Sequence, residues 1–301
     1  MSFFTDLAGI AGEADVRFDV PASALTTFRA GGPVACLVTP RDADVLASVL
    51  AAVRAEGCPY FLLGRGSNLL VGDGGYPGVM ISMRQHLSHV RTEGCVLHAE
   101  GGAMMSDCAK QAYADSLAGF EFASGIPGTI GGGLYMNAGA YGSELSDSVL
   151  YARVLMPDGE VRTFTGAMLG LSYRHSVLQE NGGIVLEAAF RLRPGKQEDI
   201  RALMEDLASR RREKQPLEYA SAGSTFKRPA GYFAGKLIEE AGLKGFRIGD
   251  AGVSEKHAGF VVNYGHASAR EIRAVMDHTA EAVYGHSGVM LEPEVRMIGV
   301  F

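Results

Sequence analysis

Positions 124–142 read SGIPGTIGGGLYMNAGAYG, seven glycines in nineteen residues and no charged side chain. Every glycine adds backbone freedom that folding must remove, so the stretch is expected to resist regular helix or strand. Its composition is not that of a linker, which would be rich in serine and charge. Ile126, Ile130, Leu134, Tyr135, Met136 and Tyr141 frame the glycines with apolar side chains instead. Bare backbone inside apolar walls suits a place where the chain must come close to a large ligand.

The remainder of the chain sets the class of fold. With 301 residues, 47% hydrophobic and 21% charged, it is expected to be a soluble globular protein of two or three domains. A formal charge of −6 argues against a general nucleic-acid binder, and no nucleic-acid partner is expected. The opening MSFFTDLAGIAGEAD has neither the basic start nor the apolar core of a signal peptide. No run approaches the roughly 18–20 apolar residues of a membrane span, so a cytoplasmic chain without a membrane partner is expected. Cys36, Cys58, Cys95 and Cys108 lack CxxC spacing and are expected to be reduced thiols. His86 and His89 have no acidic or thiol companion, so no metal site is expected.

Periodicity supplies the elements. ACLVTP (35–40) reads as a strand and DADVLASVLAAVRAEG (42–57) as a helix with an Asp start and a Gly stop. YFLLG (60–64) and GVMISM (78–83) read as strands separated by the glycine turn GRGSNLLVGDGG. A helix is expected near 103–118, a hairpin over 148–165 turning at Pro157-Asp158-Gly159, and a strand over 183–192. The charged helix at 198–216 is expected to link two domains. The helix at 267–288 places Ile272, Val275, Met276, Thr279 and Val283 on one face. The pattern is α+β with mixed sheets.

Two glycine loops are candidates for holding phosphate. GRGSNL (64–69) follows a strand, but no helix follows it and the third glycine of GxGxxG is missing. Gly235-Lys236 precedes Leu237, so the hydroxyl of a Walker A loop is absent as well. What remains is either an ordinary tight turn or an anion nest formed by backbone N–H groups with Ser67 and Asn68. The second loop, 124–142, favours the nest. Close backbone approach, walls from Ile126, Ile130 and Tyr135, and orienting groups on Thr129 and Asn137 suit a planar cofactor bearing phosphates, and FAD fits best.

TTFRAGG (26–32), LLGRGSNLLVGD (62–73), SGIPGTIGGGLYMNAGAYG (124–142), SYRHS (172–176), SAGSTFKRP (221–229), AGKLIEEAGLKG (234–245), VSEKHAGFVVN (253–263) and LEPEVRMIG (291–299) occur in this order. Together they resemble the UDP-N-acetylenolpyruvoylglucosamine reductase family over about positions 20–300. The resemblance implies a two-subdomain FAD-binding domain of the vanillyl-alcohol-oxidase (PCMH) type, over 1–85 and 86–197. It further implies a smaller α+β substrate-binding domain over 198–301 whose last strand returns to the active site. Only about forty residues separate Arg174 from Ser221, which resembles the shorter subtype lacking an extra tyrosine-bearing segment. FKRP stands where some members read FKNP, so Arg228 replaces an asparagine.

The implied reaction is NADPH-dependent reduction of an enolpyruvyl ether on a UDP-sugar, through FAD, in peptidoglycan precursor synthesis by a monomer. Arg174 is then the clamp on the substrate carboxylate, Ser224 the proton donor, and Glu294 the acid that disperses enolate charge. Glu292, two residues earlier, is expected to point to the opposite face. Tyr173 and Lys227 are the expected substrate ligands. Gly64, Arg65, Gly66, Ser67, Asn68, Gly125, Ile126, Pro127, Gly128, Thr129, Gly132, Asn137 and Gly139 are the expected FAD contacts. An FAD-dependent oxidase of the same fold is the alternative enzyme, and a flavin- or nucleotide-binding regulator the non-enzymatic one.

Overall fold

The computed structural model describes residues 3–301, which form two compact units whose segments alternate along the chain. The first unit is built from the amino-terminal segment up to Arg17 with Leu37–Arg65 and Met80–Arg211. The second is Phe18–Cys36, Gly66–Val79 and Arg212–Phe301. Consecutive blocks at 1–85, 86–197 and 198–301 do not coincide with these units, since Phe18–Cys36 and Gly66–Val79 lie with the carboxyl-terminal third. The division falls inside the final turn of the helix Gln197–Lys214.

A five-stranded antiparallel sheet organises the first unit, in the order Val161–Thr165, Val149–Leu155, Ile184–Arg191, Val96–Glu100, Val90–Glu93. Strand alternation sends Leu97, Ala99, Ala152, Val154, Ala188 and Phe190 into the core. On the other face Glu187 gathers Arg91 (3.2 Å), His98 Nδ1 (3.3 Å) and Arg153 (3.7 Å). The helix Met105–Ala114 buries Met105, Cys108, Ala109 and Ala112, one stripe at helical spacing. The earlier helix forms over Ala43–Ala55 as expected, its Asp42 carboxylate accepting from the Val45 N–H. Leu63 N–H to the Ile81 carbonyl (2.8 Å) and Ser82 N–H to that of Val38 (2.9 Å) tie adjacent strand ends together.

The glycine stretch corrects its sequence reading. It contains a 3₁₀ turn over Glu121–Gly125 and an α-helix over Ile130–Met136. Thr129 caps that helix, its Oγ1 accepting the Gly132 N–H (3.3 Å), and Ile130 and Leu134 are fully buried one turn apart. A methyl group on Gly133 would lie 2.9 Å from Leu145 Cδ1 and 3.1 Å from Met105 Sδ. Tertiary packing requires the absence of a side chain there, and core burial outweighs the helix propensity lost by glycine.

In the second unit Ala220–Ser221, Val261–Asn263, Ala251–Val253 and Arg247–Ile248 form an antiparallel sheet in that order. The helix Ala269–Ser287 starts at a Ser268–Glu271 capping box and buries the five residues expected of it. Its first two N–H groups, on Ala269 and Arg270, also donate to the Asp73 carboxylate (2.8 and 2.9 Å). Arg296–Ile298 runs parallel to Leu69–Val71, joining segments more than two hundred residues apart within this unit. No helix among the described residues is long and apolar enough to cross a membrane.

Candidate active site

In the first unit the two glycine loops meet. A methyl group placed on Gly64 would come within 2.8 Å of Thr129 Oγ1, so two residues expected to contact one cofactor are neighbours. Among the described residues, the backbone N–H groups of Gly64, Arg65 and Thr129 donate to no protein acceptor. Other amides of the second loop are already engaged: Gly128 to Ile126 (2.9 Å), Ile130 to Ala103 (2.8 Å), Gly131 to Gly101 (2.8 Å) and Gly133 to Thr129 (2.7 Å). The 128–133 stretch is thus largely a wall whose amides are already bonded, and Gly64–Arg65 opposite Thr129 holds the available donors. Gly132 is exposed, and its backbone has only Thr129 Oγ1, at 3.4 Å, near the position of a Cβ.

Positive charge stands beside these donors. Partial burial lowers the Arg84 pKa, and the neighbouring Arg65 lowers it further. Two like charges held together are stabilised by an anion. Arg211 lies with Nη1 3.0 Å from the position of a Gly125 Cβ, and burial lowers its pKa while Tyr141 opposes the shift. Neither Arg84 nor Arg211 stands out in the sequence; Arg211 is hidden in the run SRRREK, which reads as a solvated helix end. Available amides, a glycine that must stay bare and a pair of guanidiniums fit the pyrophosphate of FAD.

Asn137 is fully buried in the left-handed conformation (φ 44°) that closes the helix Ile130–Met136. Its carboxamide donates to the Ser172 carbonyl (3.2 Å) and accepts the Ser146 N–H (3.1 Å). It therefore ties the glycine stretch to the SYRHS segment. Gly139 is demanded by its own hairpin, since a methyl there would lie 2.5 Å from the Ser143 carbonyl oxygen. Ser172 and His175 exchange both backbone hydrogen bonds at 3.1 Å, leaving Tyr173 and Arg174 at the tip of a two-residue turn. Arg174 has φ 56°, a region a non-glycine residue adopts only when its surroundings impose it. Gln179 Nε2 fastens the turn by donating to the carbonyls of Arg174 (3.0 Å) and Tyr135 (2.7 Å). The guanidinium stands 5.3 Å from the Tyr173 ring centre, and that ring is exposed.

In the second unit, Ser224 and Glu294 are brought together by Thr225, the residue after Ser224 in SAGSTFKRP. Thr225 is fully buried; its carbonyl accepts the Glu294 N–H (2.8 Å). Its own N–H donates to the Gly259 carbonyl (2.9 Å), and its hydroxyl accepts the Val261 N–H (2.9 Å). Phe226 pairs antiparallel with Pro293, and Lys227 N–H donates to the Glu292 carbonyl (2.8 Å). SAGSTFK and LEPE thus form a short ladder, with Ser224 exposed at its end and preceded by Gly223 at φ 76°. Asn68 holds the ladder from the far side: its Nδ2 donates to the Glu294 carbonyl and its own carbonyl accepts the Arg296 N–H, both at 3.0 Å.

One expectation changes here. Glu292 is not turned away from Glu294 by strand alternation, because residues two apart on a strand share a face. Glu292 instead forms an ion pair with Lys227, the expected substrate ligand. Gly66 is needed by the fold itself: at φ 67°, a methyl would lie 2.2 Å from the Leu25 carbonyl oxygen. Ser67 is partly exposed beside it.

Comparison with known proteins follows this geometry. Residues 34–165 match the FAD binding domain family, and residues 215–298 match the family described as UDP-N-acetylenolpyruvoylglucosamine reductase, C-terminal domain. The chain is 46% identical to the UDP-N-acetylenolpyruvoylglucosamine reductase of Clostridioides difficile over 98% of its own length and 97% of that protein. The crystal structure of the reductase of that name from Thermus caldophilus superimposes with a TM-score of 0.81 at 34% identity, covering 94% of this chain and 99% of that one. Phl p 4, a grass pollen allergen with glucose dehydrogenase activity, shares the fold alone, at TM-score 0.50 and 15% identity over 65% of this chain and 45% of its own. The expected α+β architecture, a PCMH-type FAD-binding domain followed by a distinct carboxyl-terminal domain, is borne out. With its glycine loops, its Ser224–Glu294 ladder and near-full-length identity in agreement, the chain belongs to the UDP-N-acetylenolpyruvoylglucosamine reductase family of FAD-containing oxidoreductases.

Proposed function

We propose that the chain reduces the enolpyruvyl group of UDP-N-acetyl-3-O-(1-carboxyvinyl)glucosamine to UDP-N-acetylmuramate with NADPH as reductant, in peptidoglycan precursor synthesis. The observation that carries this reading is the ladder that sets an exposed serine next to Glu294 inside a family-wide match. FAD supplies two-electron hydride chemistry between NADPH and the alkene.

The protein's task is to manage charge and protons on the substrate. Addition of hydride to the terminal alkene carbon leaves negative charge on the carbon bearing the carboxylate. Arg174 answers it, because a guanidinium fork holds both carboxylate oxygens while charge grows. Its left-handed backbone fixes the side chain's starting direction before substrate arrives, which lowers the entropy lost on binding. Ser224 delivers a proton to the carbon beside the carboxylate, so one hydride and one proton account for the added hydrogens. Glu294 supports the enolate carboxylate from the other side of Thr225. Tyr173 and Lys227 bind the substrate diphosphate, Lys227 exchanging Glu292 for phosphate at the surface. Residues 198–301 supply the substrate-binding face, and the chain works as a cytoplasmic monomer.

Anaerobic stopped-flow absorbance separates the two half-reactions. NADPH should bleach the flavin, and the enolpyruvyl UDP-sugar should restore its colour. Reoxidation by oxygen alone, with no response to this substrate, would instead make the chain an oxidase of the same fold.

A further inference from the structure

The turn that presents Arg174 is held by a side chain that no motif marks. Gln179 lies in the short helix Leu178–Asn181 and is exposed. A primary carboxamide carries two N–H donors, and Gln179 Nε2 has an acceptor for each: the Tyr135 carbonyl at 2.7 Å and the Arg174 carbonyl at 3.0 Å. Tyr135 belongs to the last turn of the helix Ile130–Met136, where carbonyls lack a partner within the helix and need an outside donor. Ser176, fully buried, gives the same carbonyl a second donor, its Oγ standing 2.9 Å away. Asn137 closes the other side of the turn through the Ser172 carbonyl (3.2 Å). These three side chains bolt the Ser172–His175 turn to the end of one helix, and Gln179 is the one of the three that holds Arg174 directly.

The Arg174 carbonyl matters because of the backbone behind it. At φ 56° Arg174 occupies the left-handed region, which is unfavourable for a residue with a side chain and persists only where neighbours over-determine it. Relaxation to a common backbone region would swing the carbonyl and the Cα–Cβ bond together, and the guanidinium with them. A donor on the carbonyl therefore steers the guanidinium through the backbone. We infer that Gln179 is a positioning residue for the reductive step: it holds Arg174 in the left-handed state from which the guanidinium meets the substrate carboxylate. This rests on the reductase reading above and adds a residue to that site. The helix that Gln179 grips through Tyr135 also carries much of the glycine wall. The carboxylate clamp is thus set relative to the same helix as the cofactor wall, and hydride transfer depends on that relative placement.

Titration calorimetry on FAD-loaded protein separates positioning from shape. UDP-N-acetylmuramate is the ligand that carries the carboxylate, and UDP-N-acetylglucosamine is the one that lacks it. Gln179→Ala should weaken the first about tenfold, the scale of one charge-assisted hydrogen bond, and leave the second unchanged. Because Gln179 is exposed, the variant should melt with wild type. In anaerobic stopped flow NADPH should bleach its flavin at the wild-type rate, while reoxidation by the enolpyruvyl UDP-sugar slows by about 10–10²-fold. Added to Arg174→Ala, the same substitution should slow reoxidation no further, since the group it positions is gone. Gln179→Glu keeps the length but loses both donors. Its reoxidation rate relative to wild type should be lowest near neutral pH and recover toward about pH 5, where a protonated carboxyl regains one donor. The neighbouring Tyr135, Arg174, His175 and Glu180, the last two paired at 3.0 Å, are common to both proteins and cancel in that ratio. Equal weakening of both ligands by Gln179→Ala would show that the residue only shapes its loop and would overturn the proposal. Unchanged affinity for UDP-N-acetylmuramate, or a full additional loss in the Arg174→Ala background, would do the same. If the wild-type flavin does not respond to the enolpyruvyl sugar, the reductase reading fails and this assignment with it. If it responds and Gln179→Ala behaves as wild type, the assignment alone fails.

Discussion

Ser224, Arg174 and Glu294 are ordinary residue types, and the catalytic roles proposed for them depend on how their backbones are held. Ser224→Ala should leave flavin reduction by NADPH intact and slow substrate-dependent reoxidation by about 10²–10⁴, the usual contribution of a positioned proton donor. Equal loss in both half-reactions, followed by stopped-flow absorbance, would mean that the serine only shapes its loop. His257 shows a second residue-scale effect. Its Nδ1 accepts the Gly259 N–H (3.0 Å), and burial holds its pKa below the ordinary 6.5. The unfolded chain therefore takes up this proton more readily than the folded one. The resulting stability is fully present above about pH 6.5 and is lost as pH falls through the lower folded value. His257→Phe should flatten the acid limb of a urea-denaturation profile below about pH 6.5, and an unchanged slope would assign that limb to other groups. The candidate residues were legible as motifs, but the left-handed Arg174 was not: no local rule calls for it, and the Ser172–His175 closure with the Asn137 and Gln179 tethers imposes it.

Among elements, the helices with strong stripes and caps were readable because their signals are local. Asp42 and Ser268 announce two of them, and both cap as their residue types prescribe. The helix Ile130–Met136 was not readable, since its glycines serve tight packing on Met105, Leu145 and Gly101 rather than local freedom. Its stability should hang on its cap. Thr129→Ala should cost about 1 kcal/mol in urea denaturation, with Thr129→Ser restoring most of it. The same side chain limits the neighbouring loop. Gly64→Ala drives a methyl against Thr129 Oγ1 and should weaken FAD binding in a fluorescence titration. Part of that loss should return in the Gly64→Ala/Thr129→Ala double variant, because removing the hydroxyl makes room. Strict additivity of the two losses would show that the two loops do not share a cofactor contact.

At the scale of the molecule, the chain interleaves two units, and the second depends on its last residues. Arg296–Ile298 pairs with Leu69–Val71, Gly72 N–H donates to the Ile298 carbonyl (2.9 Å), and Gly74 N–H donates to that of Val300 (2.8 Å). Removing residues 296–301 should expose the buried Leu69, Leu70 and Val71 and make the second unit sensitive to limited proteolysis while the sheet of the first unit persists. Proteolytic resistance equal to the full chain would show that this strand pair is dispensable. The sequence by itself determined the class of fold, the main helices, the family and the candidate residues, because caps, periodicity and motifs are short-range information. Only the tertiary structure decided that Phe18–Cys36 and Gly66–Val79 fold with the carboxyl-terminal third, that Thr225 joins Ser224 to Glu294, and that the glycine stretch is a packed helix facing Gly64. Those outcomes depend on which distant segments can share a ladder or fit without a side chain, and such steric and hydrogen-bonding matches exist only once both partners are in place.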